Sequence, residues 1–190
     1  MKHRTRQHVK AKLAKIKHHH AVARSLLIAH TLQNLPQFIE ASSVMLYMTI
    51  PGEVDTQPIA QKCFELDKTV VVPKPCPDTK HMKPVICTPS QLSDFNPKLG
   101  LRSPAGSATL PPENIDIIII PALAFDRKCN RLGRGGGFYD RFLKQKNLRA
   151  LKIGVAFTEQ ILPSLPIDNY DTPVDLVVTD QESAWRGQTG

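Results

Sequence analysis

The sequence Ile115-Asp-Ile-Ile-Ile-Ile-Pro121 predicts the centre of a β-sheet. An uninterrupted β-branched run is typical of a strand that is buried on both faces, as strands of parallel sheets are, and the proline ends the strand. Shorter apolar runs of similar character lie at 43–49, 69–73, 152–157 and 174–179, and a further short strand is expected at 84–87. We therefore expect several buried strands with this one in the middle.

Helical patterns alternate with these strands. Val9, Leu13 and Ile16 recur at the spacing of one helix face, Thr56 is expected to cap a second helix, and another is expected over 138–147. Such alternation predicts right-handed βαβ units and a mostly parallel sheet with helices on both faces, an α/β/α sandwich. The length suits a single domain, which we place at 1–187, followed by a loose tail at 188–190.

The composition favours a globular protein and argues against a membrane protein. Apolar residues make up 41% of the chain, and the longest apolar run, 117–125, is interrupted by Pro121. A membrane-spanning helix needs about 20 apolar residues, so we expect no membrane partner and a cytoplasmic location. Cysteines at 63, 76, 87 and 129 form no C-x-x-C pair and are interpreted as reduced thiols, not as a zinc site.

The net charge of +8 comes entirely from the N-terminus. Residues 1–39 carry eight basic residues and no acidic ones, whereas the rest of the chain has 17 of each. A nucleic-acid-binding arm and an organellar transit peptide both fit such a segment, but a secretory signal does not, because the apolar run at 25–29 is too short. Lys2 and Arg6 are four positions apart, so on a helix both could reach a single anion. His18-His19-His20 is expected to form an exposed turn between two helices.

An anion-binding composition follows the central strand, in Asn130-Arg-Leu-Gly-Arg-Gly-Gly-Gly-Phe-Tyr-Asp-Arg141. Glycines let backbone N–H groups approach an anion closely, and arginines add fixed charge and forked donors. The segment matches neither the P-loop, because no Gly-Lys-Ser/Thr follows, nor G-x-G-x-x-G, because residue 138 is Phe. Glu53 and the loop with Asp168 and Asp171 also follow predicted strands, so all three segments are expected to border one crevice.

Taken together, these motifs resemble the 5-formyltetrahydrofolate cyclo-ligase family, over almost the whole chain. The residues that carry the resemblance are Lys2-x-x-x-Arg6, Glu53-Val-Asp-Thr56, Ile115-Asp with Pro121-x-x-x-Phe125-Asp126, Arg131-Leu-Gly-x-Gly-x-Gly-x-Tyr-Asp140, Phe157-x-x-Gln160 and the segment from Leu162 to Asp175. The family's fold resembles those of sugar-phosphate isomerases and CoA-transferase-like proteins.

The resemblance implies an ATP- and Mg²⁺-dependent ring closure of 5-formyltetrahydrofolate, in its monoglutamate or polyglutamate form, by a monomer without nucleic-acid partners. It implies catalytic roles for Arg131, Arg134 and Asp140, and Mg²⁺ ligation by Asp140 and Asp171. The implied ATP-binding residues are Lys2, Arg6, Arg131, Leu132, Gly133, Arg134, Gly135, Gly136, Gly137, Phe138 and Tyr139. The implied folate-binding residues are Tyr47, Met48, Glu53 and Leu99. A role for Lys2 and Arg6 in the site argues against a cleaved transit peptide.

The sequence departs from the family pattern in three places. Cys129 stands where the family usually has glycine, so Asn130 is expected to take the left-handed conformation instead. Arg102-Ser103 replaces an acidic residue before Pro104, and Phe138 replaces a frequent tyrosine. These departures keep open a phosphate-binding relative without the activity. A nucleic-acid-binding module is the other alternative, although the sequence has no recognisable reading helix or aromatic-interleaved basic sheet.

Overall fold

The computed structural model describes residues 1–76, 78–92 and 108–187, with only the backbone of residue 92. The expected tail at 188–190 therefore lies outside the described residues. The strands are β1 Ser43–Met45, β2 Thr69–Cys76, β3 His81–Ile86, β4 Ile117–Ile120, β5 Ala124–Asp126, β6 Arg131–Leu132, β7 Leu151–Ala156, β8 Ile161–Leu162, β9 Leu176–Thr179 and β10 Ser183–Trp185. The α-helices are α1 Lys2–Leu13, α2 His18–Gln33, α3 Pro36–Glu40, α4 Gln57–Glu65, α5 Pro89–Leu92 and α6 Phe138–Leu143. Short 3₁₀ turns occupy Pro112–Asn114 and Thr158–Gln160.

The main sheet has seven strands in the order β10-β9-β7-β4-β1-β2-β3. Strands β9, β7, β4, β1 and β2 are parallel, and the two edge strands β10 and β3 are antiparallel to their neighbours. Ile117 in β4 pairs with Val44 of β1 on one side and Leu151 of β7 on the other. The prediction of a mostly parallel sheet with β4 at its centre is confirmed.

Successive isoleucines of β4 belong to two different cores. Ile117 and Ile119 pack in the core that contains the buried side chains of α1, α2, α3 and α4. Ile118 and Ile120 pack in a second core with Phe125 of β5 and residues of α6. The chain therefore has helices on both faces of the sheet, as predicted, and a small sheet of order β6-β5-β8 joins α6 on the second face.

Several element boundaries differ from prediction. Strand β1 ends at Met45 instead of at residue 49. The Leu46 N–H still donates a hydrogen bond to the Val71 carbonyl of the neighbouring strand, and the backbone leaves the sheet after this residue. Helix α6 ends at Leu143, four residues before the expected end. The histidines at 18–20 form the first turn of α2 and not a connection, because extended Lys17 already makes the break.

Thr56 precedes α4 as expected, but its side chain does not cap that helix. Its Oγ1 instead donates to the Tyr47 carbonyl at 2.8 Å, and Asp55 Oδ1 accepts a hydrogen bond from the Gln57 N–H at 3.1 Å. The Thr56 hydroxyl therefore joins the start of α4 to the segment that follows β1.

The turn after β5 corrects the expectation for Asn130. Cys129 itself adopts the left-handed conformation, with φ of 61°, and it is fully buried. Asp126 Oδ1 accepts hydrogen bonds from the Lys128 and Asn130 N–H groups, and Cys129 Sγ lies 3.3 Å from the Ala184 carbonyl oxygen. These contacts stabilise a conformation that is unfavourable for residues with a Cβ.

Arg24 joins α2 to the segments that follow strands β7 and β9. Its guanidinium donates to Glu159 at 2.5 and 2.9 Å and to Asp180 at 2.7 and 3.0 Å. The hydrogen bonds from Arg24 lower the pKa of Glu159. Burial alone would raise the pKa of Asp180, but the hydrogen bond from Arg24 outweighs it, so that pKa also lies below its ordinary value.

The Arg24→Met substitution is expected to lower the free energy of unfolding by about 2 kcal/mol at pH 7, because the variant loses hydrogen bonds to charged groups. Carboxyl groups with lowered pKa values contribute stability above their unfolded pKa of about 4, and this contribution is lost as the pH falls further. Urea denaturation should therefore show the difference at pH 7 and a shrinking difference below about pH 4. Arg127→Met removes an exposed ion pair with Glu182 and should change stability by less than about 1 kcal/mol. An equal loss in both variants would contradict the prediction.

Candidate functional site

A cleft of about 510 Å³ opens where the carboxyl ends of β1 and β4 meet the glycine-rich loop. The carboxyl ends of neighbouring parallel strands share one edge of a sheet, which is why segments distant in sequence converge there. The residues that line the cleft are Tyr47, Met48, Ile50, Glu53, Pro73, Pro75, Met82, Pro121, Ala122, Arg131, Gly133, Arg134, Gly135, Gly136, Gly137, Phe138, Tyr139 and Asp140. The expected proximity of Glu53 and the glycine loop is thus observed.

The glycine loop needs its glycines for both conformation and space. Gly135 and Gly137 have φ of 108° and 71°, which residues with a Cβ rarely adopt. A Cβ at Gly133 would lie 2.9 Å from Arg131 Nη1, and one at Gly137 would lie 2.9 Å from Arg141 Nη2. The loop therefore brings arginine side chains against bare backbone, an arrangement that suits close approach of an anion.

Three of the predicted cationic side chains form ion pairs with predicted carboxylates. Arg131 Nη2 lies 2.5 Å from Asp140 Oδ1, and Arg134 Nη2 lies 2.9 Å from Glu53 Oε1. Lys2 Nζ lies 2.5 Å from Asp171 Oδ2. Positive and negative side chains of the cleft thus neutralise each other.

Lys2 and Arg6 of α1 are not among the described residues that line the cleft, and neither are Asp168 and Asp171, so the expectation that their loop borders the same crevice is not met. Lys2 and Arg6 contact different groups beside the cleft. Lys2 also contacts Asp168 at 2.7 Å, whereas Arg6 Nε donates to the Gly133 carbonyl oxygen at 2.9 Å. Burial lowers the pKa of Lys2, but its hydrogen bonds to Asp168 and Asp171 raise it overall. Burial raises the pKa of Asp171, and the hydrogen bond from Lys2 lowers it overall.

Glu53 is the more buried of the two carboxylates that line the cleft. Only 8% of its side chain is exposed, and burial raises its pKa although Arg134 acts in the opposite direction. Its Oε1 accepts from Arg134 Nε at 3.0 Å. A buried carboxylate held by one exposed arginine is able to accept hydrogen bonds from a ligand.

Asp140 and Asp171 lie close together, since the N–H of Thr172 donates to Asp140 Oδ1 at 3.3 Å. The described residues contain no cluster of three or more His, Cys, Asp or Glu side chains that could hold a metal. Mg²⁺ is commonly held by one or two carboxylates, with waters and phosphate oxygens as the remaining ligands. The two aspartates therefore fit Mg²⁺ by ligand chemistry, provided that each leaves its present ion pair.

The predicted folate-side residues are placed unequally. Tyr47 and Met48 line the cleft, and the Tyr47 hydroxyl donates to the Val54 carbonyl oxygen at 2.6 Å. Burial raises the pKa of Tyr47 well above its ordinary value. Leu99 and the Arg102-Ser103 departure lie outside the described residues. Among the predicted nucleotide-side residues, Leu132 is buried in β6 and does not line the cleft.

Sequence reasoning missed the apolar wall of the cleft. Pro73, Pro75 and Met82 lie on the β2–β3 hairpin and form part of this wall. Pro73 and Pro75 are two positions apart in one strand, and alternate residues of a strand share one face. This spacing was the sequence feature that could have predicted an apolar wall.

A connection through Arg141 was also missed. Its Nη2 donates to the Gly136 carbonyl oxygen at 2.9 Å, and its Nε donates to the Lys80 carbonyl oxygen at 3.1 Å. Arg141 therefore links the glycine loop to the β2–β3 hairpin.

The chain is similar to proteins of one family over almost its whole length. Residues 1–180 match the model of the 5-formyltetrahydrofolate cyclo-ligase family. A 5-formyltetrahydrofolate cyclo-ligase of Haemophilus influenzae is 33% identical over 179 residues, which cover 90% of this chain and 91% of that protein. The enzyme of that name from Mus musculus is 28% identical over 94% of this chain and 93% of its own length. The solved structure of Aquifex aeolicus 5,10-methenyltetrahydrofolate synthetase superimposes with a TM-score of 0.85 at 30% identity, over 100% of this chain and 94% of that one.

Proposed function

The chain belongs to the 5-formyltetrahydrofolate cyclo-ligase family, and we propose that it is a ligase that converts 5-formyltetrahydrofolate and ATP into 5,10-methenyltetrahydrofolate, ADP and phosphate. The observation that carries the proposal is the cleft itself. The cleft is lined by the glycine loop with its arginines, by the apolar side chains of the β2–β3 hairpin, and by Glu53, whose buried carboxylate pairs with Arg134. One side thus suits a polyphosphate, and the other suits a flat heterocycle with N–H donors.

The two halves of the cleft can hold both substrates side by side. Its volume of about 510 Å³ falls within the range of ligand pockets, which are about 300–1,000 Å³. Tyr47 and Met48 offer apolar surface for the pterin ring, and Glu53 can accept hydrogen bonds from ring nitrogens. Such placement supplies orientation, which is a large part of what a transfer between two bound substrates requires.

We place the bond changes as follows. The formyl oxygen of the folate attacks the γ-phosphorus, the bond from phosphorus to the β–γ bridging oxygen breaks, and ADP leaves. The neighbouring amine nitrogen, which lies outside the pterin ring, then attacks the activated formyl carbon and loses its proton. The carbon–oxygen bond breaks to release phosphate, and the new five-membered ring is closed. No covalent bond to the protein forms, so the chain contributes positioning and charge neutralisation.

Arg131 and Arg134 would stabilise negative charge on the transferred group, with Lys2 and Arg6 on the more remote phosphate oxygens. Asp140 and Asp171 would hold Mg²⁺, which supplies further neutralisation of phosphate charge when bound. In the ligand-free chain these aspartates pair with Arg131 and Lys2. Exchange of partners would therefore free both cations for phosphate as both carboxylates turn to the metal.

The test is an absorbance assay with purified protein, 5-formyltetrahydrofolate, ATP and Mg²⁺. We expect the near-ultraviolet absorbance of the methenyl product to rise, with one ADP released per product. Reactions without ATP, or with excess EDTA, are the controls and should show no rise. No absorbance change in the complete reaction would contradict the proposed activity.

The Asp140→Asn substitution should lower kcat and raise the Mg²⁺ concentration needed for half-maximal rate, because the amide is a weaker Mg²⁺ ligand than the carboxylate and no longer balances Arg131. We expect a loss of at least about 10-fold, the lower end for changes in groups around a metal. Asp78→Asn, at an exposed aspartate outside the cleft, is the matched control and should leave both quantities unchanged. An unchanged Mg²⁺ requirement in Asp140→Asn would remove the metal role.

The proposal extends to the setting of the enzyme. No helix in the described part of the chain is long and apolar enough to cross a membrane. We place the protein in the cytoplasm as a monomer without nucleic-acid partners, acting on folates with mono- or polyglutamate tails. Sedimentation velocity tests whether the protein is a monomer. Binding assays with RNA and DNA at physiological salt test for a nucleic-acid partner. Comparison of KM for mono- and polyglutamate substrates tests the preference for polyglutamate tails that a basic surface favours.

A further inference from the structure

Two buried side-chain atoms of the described residues have no hydrogen-bond partner there, and both lie beside Asp140. They are Arg131 Nε and Thr172 Oγ1. Arg131 Nη2 donates to Asp140 Oδ1 at 2.5 Å, and the Thr172 N–H donates to the same oxygen at 3.3 Å. The unpartnered atoms therefore belong to the two residues that hold one carboxylate oxygen of the cleft.

An unpartnered buried polar atom is unfavourable, because the group loses its hydrogen bonds to water and gains none. Such atoms are rare in native proteins, and functional sites are one place where they occur. Valine has nearly the same shape as threonine without the hydroxyl, so packing alone gives no reason for a threonine at 172. The side chain of Arg131 is only 3% exposed, which makes its missing partner equally unfavourable.

The chemistry of the two atoms defines the group that would satisfy them. Arginine Nε can only donate a hydrogen bond, so its partner must be an acceptor. A hydroxyl can donate to the same acceptor. Asp140 Oδ1 is not that acceptor, because it already receives Nη2 of Arg131 and the N–H of Thr172. Arg131 lines the cleft, and Thr172 contacts the cleft residue Asp140, so an oxyanion oxygen bound at this end of the cleft is the acceptor that suits both donors.

We infer that Thr172 is a further nucleotide-binding residue, whose hydroxyl donates to a phosphate oxygen that Arg131 Nε also binds. The inference rests on the proposed use of ATP. It assigns a ligand contact to the residue that directly follows Asp171, in the loop that Lys2 joins to α1. The loop thereby contacts phosphate directly through the Thr172 hydroxyl, in addition to any metal ligation by Asp171.

The experiment compares Thr172→Val with Thr172→Ser, and uses Thr31→Val on α2 as a control for the same change away from the cleft. Calorimetric titration with ATP and Mg²⁺, without folate, measures nucleotide affinity. Urea denaturation of the ligand-free proteins measures stability. We expect Thr172→Val to bind ATP about 5- to 10-fold more weakly, as for the loss of one hydrogen bond, with unfolding stability equal to or above that of the wild type. Thr172→Ser and Thr31→Val should bind like the wild type.

Two results would overturn the inference. One is unchanged ATP affinity in Thr172→Val. The other is a loss of stability in that variant without ligand, which would mean that the hydroxyl is satisfied in the free protein by a buried water. Titrations with ADP and inorganic phosphate identify the phosphate concerned: a loss for ATP alone points to the γ-phosphate, and a loss for ATP and ADP points to the α- or β-phosphate. If the wild type binds ATP but does not cyclise the folate, the proposed function fails and this inference stands. If the wild type binds no ATP, both fail.

Discussion

Replacing Arg134 by alanine is expected to lower kcat/KM by about 10²- to 10³-fold, the usual effect of removing one donor that stabilises developing charge in an enzyme site. Arg134 projects from the glycine loop, and 41% of its side chain is exposed. Its Nε and Nη2 both contact Glu53 across the cleft. In the proposed arrangement of substrates, this places the side chain between the folate and the phosphates, where the transferred group would pass.

Steady-state kinetics with each substrate varied in turn provides the measurement. Arg134→Ala leaves the largely buried Glu53 carboxylate without its ion-pair partner, so the free energy of unfolding should fall by about 1–3 kcal/mol, which is too little to unfold the enzyme under assay conditions. Arg134→Lys keeps the charge but not the forked geometry and should recover only part of the activity. Arg149→Ala removes the same charge from an exposed position outside the cleft and should leave kcat/KM unchanged. Arg134→Ala with activity within about threefold of the wild type would be incompatible with the role proposed here.

The largest effect on stability is expected for Gly154→Ala in β7. A Cβ at Gly154 would lie 2.5 Å from both Cε1 and Cζ of Phe125. Phe125 is fully buried, and the Gly154 backbone pairs with Ile120 of β4 and Val177 of β9. Neither the ring nor the strand is free to move. We expect a loss of about 1–3 kcal/mol for alanine, and more for valine, from overpacking.

Urea denaturation of Gly154→Ala tests this expectation. The double variant Phe125→Leu with Gly154→Ala removes the ring that the methyl group would meet. Its loss should therefore be smaller than the sum of the two single losses, since residues in contact are not additive. Gly154→Ala with wild-type stability, or strict additivity in the double variant, would show that the close approach does not limit this position.

The central sheet was predictable because its strands carry a local signal. The run at Ile117–Ile120 and the buried strands beside it differ in composition from the loops around them. Alternation of the run between two faces follows from strand geometry. Which pair faces which core was not predictable, because all four residues are isoleucine. The ends of β1 and α6 were also missed, because no proline or glycine stands at residues 46–49 or 144–147 to mark them.

The candidate site was predictable as a set of residue types but not as a set of contacts. Glycine and arginine composition indicated anion binding, and the strand ends indicated the shared edge. The partners of Arg131 and Arg134 depend on where the chain folds back, and no pattern in the sequence pairs Arg141 with the Lys80 carbonyl. Cys129 shows the same limit, because contacts with Asp126 and β10 decide its backbone conformation.

The ion pair of Lys2 with Asp171 joins residues 169 positions apart, and this separation bears on synthesis in the cell. At about 5–20 residues per second, α1 leaves the ribosome on the order of 10–30 seconds before its partner loop. Helices of this length are marginal in water, and α1 buries only Val9 and Leu13, so it has little reason to hold its shape alone. Helix α1 is therefore expected to dock only after the loop with Asp168 and Asp171 has been made, although it precedes that loop by most of the described chain.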